Sequence, residues 1–130
     1  MATHRPNLPQ AVRLCPAFVW MAVIFALSSQ RTLPRPPGLS MTMAGTGGHF
    51  VVYAVLAALL YAGLPPNGRT TGRRRFVAVV GAIAFGVTDE LHQAFVPGRD
   101  PALIDLAVDA LGAAVGAGIV GLVAWGRHRR

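Results

Sequence analysis

The sequence predicts an all-α protein, a bundle of four transmembrane helices, from three observations. The chain has 130 residues, of which 53% are hydrophobic, and its mean hydropathy is +0.49. Four stretches are apolar for close to the roughly 20 residues with which a helix crosses a bilayer. Short segments rich in Pro, Gly and Arg separate these stretches. We expect one membrane domain over residues 1–130, with spans at about 11–29, 49–64, 76–95 and 103–125.

The residues around each apolar stretch account for its limits. The first span ends at "LSSQ", and the loop after it, "RTLPRPPGLSMTMAGTGG", is too rich in Pro and Gly for regular structure. The second span begins at His49 and ends at "LPPNG". The third ends before "VPGR", because Pro97 lacks the amide hydrogen that a helix needs. The fourth carries Gly112, Gly116 and Gly118, which form a small-residue surface for close contact between helices.

The formal net charge of +7 comes from arginines that flank the spans. A basic surface can bind nucleic acid, but these arginines follow the positive-inside pattern, so we expect membrane lipids and no nucleic acid as partners. With both termini cytoplasmic, Arg31, Arg35 and Arg99 lie outside. The arginines on the cytoplasmic side are Arg5, Arg13, Arg69, Arg73, Arg74, Arg75, Arg127, Arg129 and Arg130. Because three more spans follow the first, we expect the first helix to be retained and not cleaved as a signal peptide.

Polar residues gather at the predicted outer ends of the spans. Every acidic residue lies between Asp89 and Asp109. On span three, Asp89, His92 and Gln93 are spaced i, i+3 and i+4, so they share one helix face. On span four, Asp105 and Asp109 are four residues apart, on the face that also carries the glycines. That face must look inward, so we expect acidic groups inside the bundle.

The first two spans bring further polar side chains to the same level. His49 and Tyr53 lie four residues apart at the outer end of span two, and Ser28, Ser29 and Gln30 close span one. One shared polar site explains the polar residues at the outer ends of all four spans better than four unrelated occurrences at the same depth. An ionised carboxylate near hydrocarbon costs at least ~2.5 kcal/mol. The acids must therefore be paired, protonated or hydrated, which is a setting for acid and base chemistry.

Each of these residues also has a simpler interpretation. Arg99 and His92 are the obvious partners for the carboxylates. Glu90 and Arg99 could also form a surface ion pair whose sole role is to close the turn between spans three and four. His49 and His92 could serve only as hydrogen-bonding groups between helices. Ser28 as a nucleophile lacks the elbow motif that such serines have.

A metal site is the remaining alternative. His49, His92, Asp89 and Asp105 form a chemically reasonable donor set. The chain has no HExxH or comparable spacing, and the lone Cys15 excludes a cysteine-based metal site and an intramolecular disulfide. We therefore assign no metal ligand and no cofactor, and the sequence leaves open whether a metal ion binds the polar cluster.

The segment Thr88–Gly116, "TDELHQAFVPGRDPALIDLAVDALGAAVG", resembles the VanZ-like family of small bacterial membrane proteins. The positions that match the family pattern are Asp89, Glu90, His92, Gln93, Phe95, Pro97, Gly98, Arg99 and Asp105. "LSSQ" in span one, and His49, Phe50 and Tyr53 in span two, agree with the family as well, so the resemblance covers nearly the whole chain. Two features depart from it: "GTGG" precedes the histidine where many members carry Lys, and Asp109 stands where many have Asn. The cluster is therefore more acidic than is usual in the family.

The resemblance implies a multi-pass protein of the bacterial cytoplasmic membrane that is linked with reduced sensitivity to teicoplanin-type glycopeptides. The candidate catalytic residues, chosen for proton transfer, are Asp89, Glu90, His92 and His49. The candidate substrate-binding residues are Arg99, Gln93, Asp105, Tyr53 and Gln30, with Arg99 suited to a phosphate group.

Two classes of function fit these residues, and the sequence leaves open whether the protein is an enzyme. In the first, a site at the outer membrane face acts on or binds a lipid or a lipid-linked cell-wall substrate. In the second, the polar cluster is structural, in a non-enzymatic accessory or assembly protein of the cell envelope that binds a cell-wall enzyme, a substrate or the glycopeptide. A proton-coupled transporter is less attractive, because the four short spans contain no inverted repeat.

Overall fold

The structure, a computed structural model, describes residues 8–31, 37–38, 41–65, 71–99 and 101–128. Over these ranges the chain forms four α-helices and no strand, which confirms the predicted all-α class. The helices are α1 (Gln10–Ser28), α2 (Met41–Gly63), α3 (Thr71–Gln93) and α4 (Leu103–His128). Arginines 5, 35, 69, 129 and 130, which entered the predicted topology, lie outside the described residues.

Three of the helices are long and apolar enough to cross a membrane, over Gln10–Ser28, Gly45–Gly63 and Leu103–Gly126. Large apolar side chains on their outward surfaces, such as Phe18, Val51 and Leu122, are more than half exposed, as side chains that face lipid are. Helix α3 falls outside this group because charged residues occupy both of its ends, whereas residues 76–88 between them carry no charge.

Helix α2 begins earlier than the sequence predicted. Residues 41–48 were expected to be irregular, but they form the first two turns of the helix. Gly45, Gly47 and Gly48 lie in these turns, and each costs about 1 kcal/mol relative to Ala in a helix. In an apolar environment a continuous helix is favoured despite this cost, because a non-helical backbone would leave its N–H and C=O groups without hydrogen-bond partners.

Small residues bring α4 against α2. A side chain at Gly112 would collide with the carbonyl oxygen of Phe50, and one at Gly116 with the carbonyl oxygen of Ala54. The predicted packing role of these two glycines is therefore confirmed. The predicted packing role is wrong for Gly118, because a Cβ atom added at this residue would meet nothing within 4 Å.

The bundle has two chemically different ends. At the arginine end, Arg74 donates from Nη2 to the carbonyl oxygens of Tyr61 (2.9 Å) and Leu64 (3.0 Å), and Arg13 donates to the same Leu64 oxygen (3.5 Å). These bonds satisfy carbonyl groups at the carboxy-terminal end of α2 that have no partner within the helix. At the opposite end α1 and α3 finish while α2 and α4 begin, and the carboxylates collect there. We call it the carboxylate end, defined by Asp89, Glu90, Asp105 and Asp109.

Candidate functional site

Asp89 on α3 forms hydrogen bonds with residues of three helices at the carboxylate end. The residue is 3% exposed, on the inward face of α3. Its Oδ1 accepts a 2.5 Å hydrogen bond from the Ser28 hydroxyl of α1, and its Oδ2 accepts from Gln93 Nε2 (3.0 Å) and from the Tyr53 hydroxyl of α2 (3.4 Å). All three donors are neutral, and both carboxylate oxygens are occupied. Asp89 is thus a satisfied buried acceptor that joins α1, α2 and α3.

Asp109 is as deeply buried as Asp89 but has fewer partners. It lies on α4 with 1% of its surface exposed, and its Oδ1 is 3.0 Å from Nδ1 of His49 on α2. Its Oδ2 is buried and has no hydrogen-bond partner. Gly86 faces this oxygen from α3, and a Cβ atom at Gly86 would stand 3.3 Å from it. The glycine therefore leaves room around an acceptor that still has bonding capacity.

Glu90 connects the end of α3 to the start of α4. Its Oε2 accepts a 3.1 Å hydrogen bond from the backbone N–H of Ala102, one of the amides that the first turn of α4 leaves without a helical partner. Its Oε1 is buried and has no hydrogen-bond partner. Glu90 and Asp109 thus each hold one occupied and one unpartnered oxygen.

His49, Glu90 and Asp105 converge beside Asp109. One potential ligand atom from each of the three residues lies within 4.8 Å of the others. This set differs from the metal donor set that the sequence offered, because Asp89 and His92 point to other partners. Asp105 reaches the cluster from the first turn of α4 and His49 from α2.

His92 lies at the edge of the polar cluster. Its Nε2 forms a 3.0 Å hydrogen bond with the Ser29 hydroxyl, and its ring stacks on Phe25 with the ring centroids 4.2 Å apart. The expectation that His92 pairs with the carboxylates is wrong for the described residues. The stack and the serine hold the imidazole against α1.

Arg99 closes the carboxy-terminal end of α1. Its Nε donates to the carbonyl oxygen of Gln30 (3.0 Å) and its Nη2 to that of Leu27 (3.3 Å). The turn before it depends on Gly98, whose φ of +85° is unfavourable for residues with a side chain. The suggested ion pair between Glu90 and Arg99 is not formed, because Arg99 points to the α1 carbonyls while Glu90 accepts from the Ala102 amide. Gln30 contributes its backbone here.

The charges at the carboxylate end are unbalanced. Three carboxyl groups, those of Glu90, Asp105 and Asp109, lie around the imidazole of His49. Arg99, the nearest arginine in the sequence, donates to carbonyl oxygens of α1 instead. Such groups in a poorly hydrated place require protons or another cation. The cluster can therefore hold protons or a positively charged ligand.

The sequence placed Ser28 and Asp109 in the shared polar site, but neither was among the catalytic or substrate-binding candidates. Asp109 was placed correctly on the inward glycine face, but spacing alone did not show that it meets His49. Ser28 lies in "LSSQ" at the predicted depth of the polar site. The sequence around it does not show which face of α1 meets Asp89.

The fold and the cluster together define a helical membrane protein whose apolar bundle encloses a carboxylate–histidine site at one end. The family model described as VanZ/LLP1 matches residues 3–124, and the chain belongs to this family, as its sequence predicts. No curated protein and no solved structure matches the chain.

Proposed function

We propose that this VanZ-family membrane protein carries its polar site at the outer face of the bacterial cytoplasmic membrane, where it acts on or binds a lipid or lipid-linked cell-wall substrate. The unpartnered oxygens of Asp109 and Glu90 beside His49 carry this proposal. Buried polar atoms in a packing contact are nearly always hydrogen-bonded. Carboxylates with unused bonding capacity next to an imidazole suit proton transfer and the binding of a polar group.

The depth of the site supports a lipid substrate. Ser28 and Gln93 are the last residues of their helices, and Asp105 is in the first turn of its helix. If the bundle crosses the membrane, the carboxylate end lies close to the level of the lipid headgroups. A headgroup or a pyrophosphate-linked precursor can reach that level without leaving the bilayer.

The proposed topology makes α3 the fourth span. Its 23 residues extend for about 35 Å, enough to cross the hydrocarbon core, and its charges are confined to the two ends. Arg13 and Arg74 both bind carbonyls at the arginine end, and the positive-inside preference supports a cytoplasmic location for that end and both termini. The carboxylate end then faces outward.

Mass spectrometry of envelope lipids and lipid-linked wall precursors tests the proposal. Cells express wild type, His49→Gln, Val51→Ala or an empty vector, with equal protein levels in the membrane. Glutamine retains a polar amide but cannot exchange a proton as imidazole does, whereas Val51 is two residues away and 58% exposed. We expect a species that changes with wild type and Val51→Ala only. Four identical profiles, together with no binding of these lipids by the purified protein, would reject the proposal.

The non-enzymatic alternative is favoured by one observation, the three neutral donors around Asp89. That half of the cluster has the features of a packing contact. An accessory role in the cell envelope would use the bundle as a scaffold for a cell-wall enzyme, and it predicts that His49→Gln behaves like wild type in every assay.

A lowered sensitivity to teicoplanin-type glycopeptides is part of the proposed function, as a consequence of the altered substrate. The minimum inhibitory concentration should rise on expression of wild type and return to the empty-vector value with His49→Gln. A rise that persists in His49→Gln would assign the resistance to the accessory role.

A further inference from the structure

We propose that His49, Glu90 and Asp105 form a binding site for a divalent transition-metal ion, with Zn²⁺ as the expected ion. This inference goes beyond the proposed function and can be tested without it. It begins with the convergence of one nitrogen and two oxygen ligands from three different helices. Imidazole and carboxylate together are the donors that zinc prefers after thiolate.

The spacing of the ligand atoms fits one ion. The three atoms lie within 4.8 Å of one another. Tetrahedral ligands at about 2.1 Å from one zinc ion are about 3.4 Å apart. The ligand atoms must therefore approach one another by up to about 1.4 Å, the difference between 4.8 and 3.4 Å, and side-chain rotations provide this movement.

Asp109 orients His49 as a metal ligand. The histidine bonds to Asp109 through Nδ1, which leaves Nε2 available. Histidines that bind metals usually donate their other ring N–H to a carboxylate, and this bond fixes both the tautomer and the direction of the ring. Asp109 is 1% exposed and has an unpartnered oxygen, so its carboxylate is not held by a competing hydrogen bond.

Glu90 is similarly prepared. The Ala102 amide holds Oε2, and Oε1 is buried with no hydrogen-bond partner. A buried carboxylate oxygen without a donor is unfavourable unless a cation or a proton meets it. A metal ion would satisfy this oxygen, and its positive charge would offset the excess of carboxyl groups at this end.

The donor set also selects among ions. One imidazole favours Zn²⁺ over Mg²⁺, which prefers oxygen ligands and retains its water. In the Irving–Williams order Zn²⁺ binds more tightly than Mn²⁺. Three protein ligands leave a further coordination position, as in catalytic zinc sites, and a phosphate oxygen is a suitable ligand for it.

Metal analysis of the purified full-length protein in detergent tests the site. The protein is stripped with chelator, dialysed against Zn²⁺, Mn²⁺ or Mg²⁺, and its metal content and affinity are measured by plasma mass spectrometry and competition titration. We expect about one Zn²⁺ per chain, with weaker binding of Mn²⁺ and the weakest of Mg²⁺.

Matched variants locate the ion. His49→Gln and Asp105→Asn should each abolish stoichiometric Zn²⁺ binding, and Asp109→Asn should weaken it about 10- to 100-fold through loss of the orienting bond. His92→Gln and Asp89→Asn serve as controls, because neither residue belongs to the ligand set, and both should bind like wild type. Far-UV circular dichroism checks that each variant retains its helices. If His49→Gln does not fold, Asp105→Asn still tests the site, because asparagine has nearly the same shape as aspartate.

Two outcomes overturn the metal site: no stoichiometric Zn²⁺ on the wild type, or equal losses in His92→Gln and His49→Gln. The result is separable from the proposed function. One Zn²⁺ bound at His49 with unchanged envelope lipids would reject the lipid activity alone. A lipid change that survives complete metal removal would leave the lipid activity in place and reject a role for the metal in it.

Discussion

Asp89 and Asp109 are carboxylates of nearly equal burial with very different surroundings. Asp89 accepts hydrogen bonds from three neutral donors on three helices, whereas Asp109 has one bond, to His49, and an unpartnered oxygen. Burial alone therefore does not show how far the protein satisfies the hydrogen-bonding capacity of a carboxylate. The difference lies in how much of the bonding capacity of each carboxylate the protein itself uses.

This difference divides the carboxylate end into two halves. The structural half is Asp89 with Ser28, Tyr53 and Gln93. The open half, which contains the unpartnered oxygens, is Asp109 with His49, Glu90 and Asp105. The carboxylate of the first half has both oxygens hydrogen-bonded within the protein, whereas two carboxylates of the second half each have an oxygen that no described residue donates to.

The largest expected effect on stability comes from removing the two carboxylates in turn. Asp89→Ala removes three hydrogen bonds, two to other helices and one within α3; at about 0.6 kcal/mol each, their loss should lower the free energy of unfolding by about 2 kcal/mol. Asp109→Ala removes one bond and should lower it by about 0.6 kcal/mol. Reversible unfolding in mixed detergent, followed by circular dichroism, measures both. Equal losses would remove the distinction between the halves.

A smaller effect is expected at Gly86, which lies against both halves. A Cβ atom there would stand 3.3 Å from Asp109 Oδ2 and 3.3 Å from Tyr53 Cε1. Gly86→Ala should lower the free energy of unfolding by about 1 kcal/mol, because the neighbours must move apart.

Gly118→Ala is the matched control for this crowding. Its Cβ atom meets nothing within 4 Å, so the change should be neutral or stabilising through helix propensity. The same unfolding assay compares the two, and a destabilisation at Gly118 equal to that at Gly86 would show that the contacts with Asp109 and Tyr53 do not matter.

The smallest effect separates two adjacent serines. Ser28 donates to the buried Asp89, whereas the Ser29 hydroxyl is exposed and bonds to His92. Ser28→Ala should cost about 0.6 kcal/mol of unfolding free energy. Ser29→Ala should cost less than Ser28→Ala, because water can replace an exposed partner. The reverse order would contradict the structural assignment of Asp89.

Much of the fold could be predicted because it follows from lengths of apolar sequence. The helices, the glycine contacts of Gly112 and Gly116, and the common level of the polar residues all depend on spacing along one helix. The early start of α2 was missed because its glycines are common in loops, although a helix in an apolar environment tolerates them.

The partners of the polar side chains were harder to predict, because they depend on the rotation of one helix against another. Spacing placed Asp89 and His92 on one face of α3, yet they bond to different groups of α1. Arg99 was assigned to a phosphate from its charge, and the spacing could not show that two of its N–H groups, on Nε and Nη2, donate to carbonyl oxygens at the end of α1. The pairing of His49 with Asp109 likewise required the packing of α2 on α4.

The most direct test of the two halves compares Asp89→Asn with Asp109→Asn in the envelope-lipid assay, with equal amounts of folded protein in the membrane. Both changes keep the size of the side chain and remove one acidic group. Under the proposed function, Asp89→Asn should retain the lipid change that wild type produces, whereas Asp109→Asn should reduce it tenfold or more, because it removes the group that orients His49. A loss with Asp89→Asn and full activity with Asp109→Asn would contradict it.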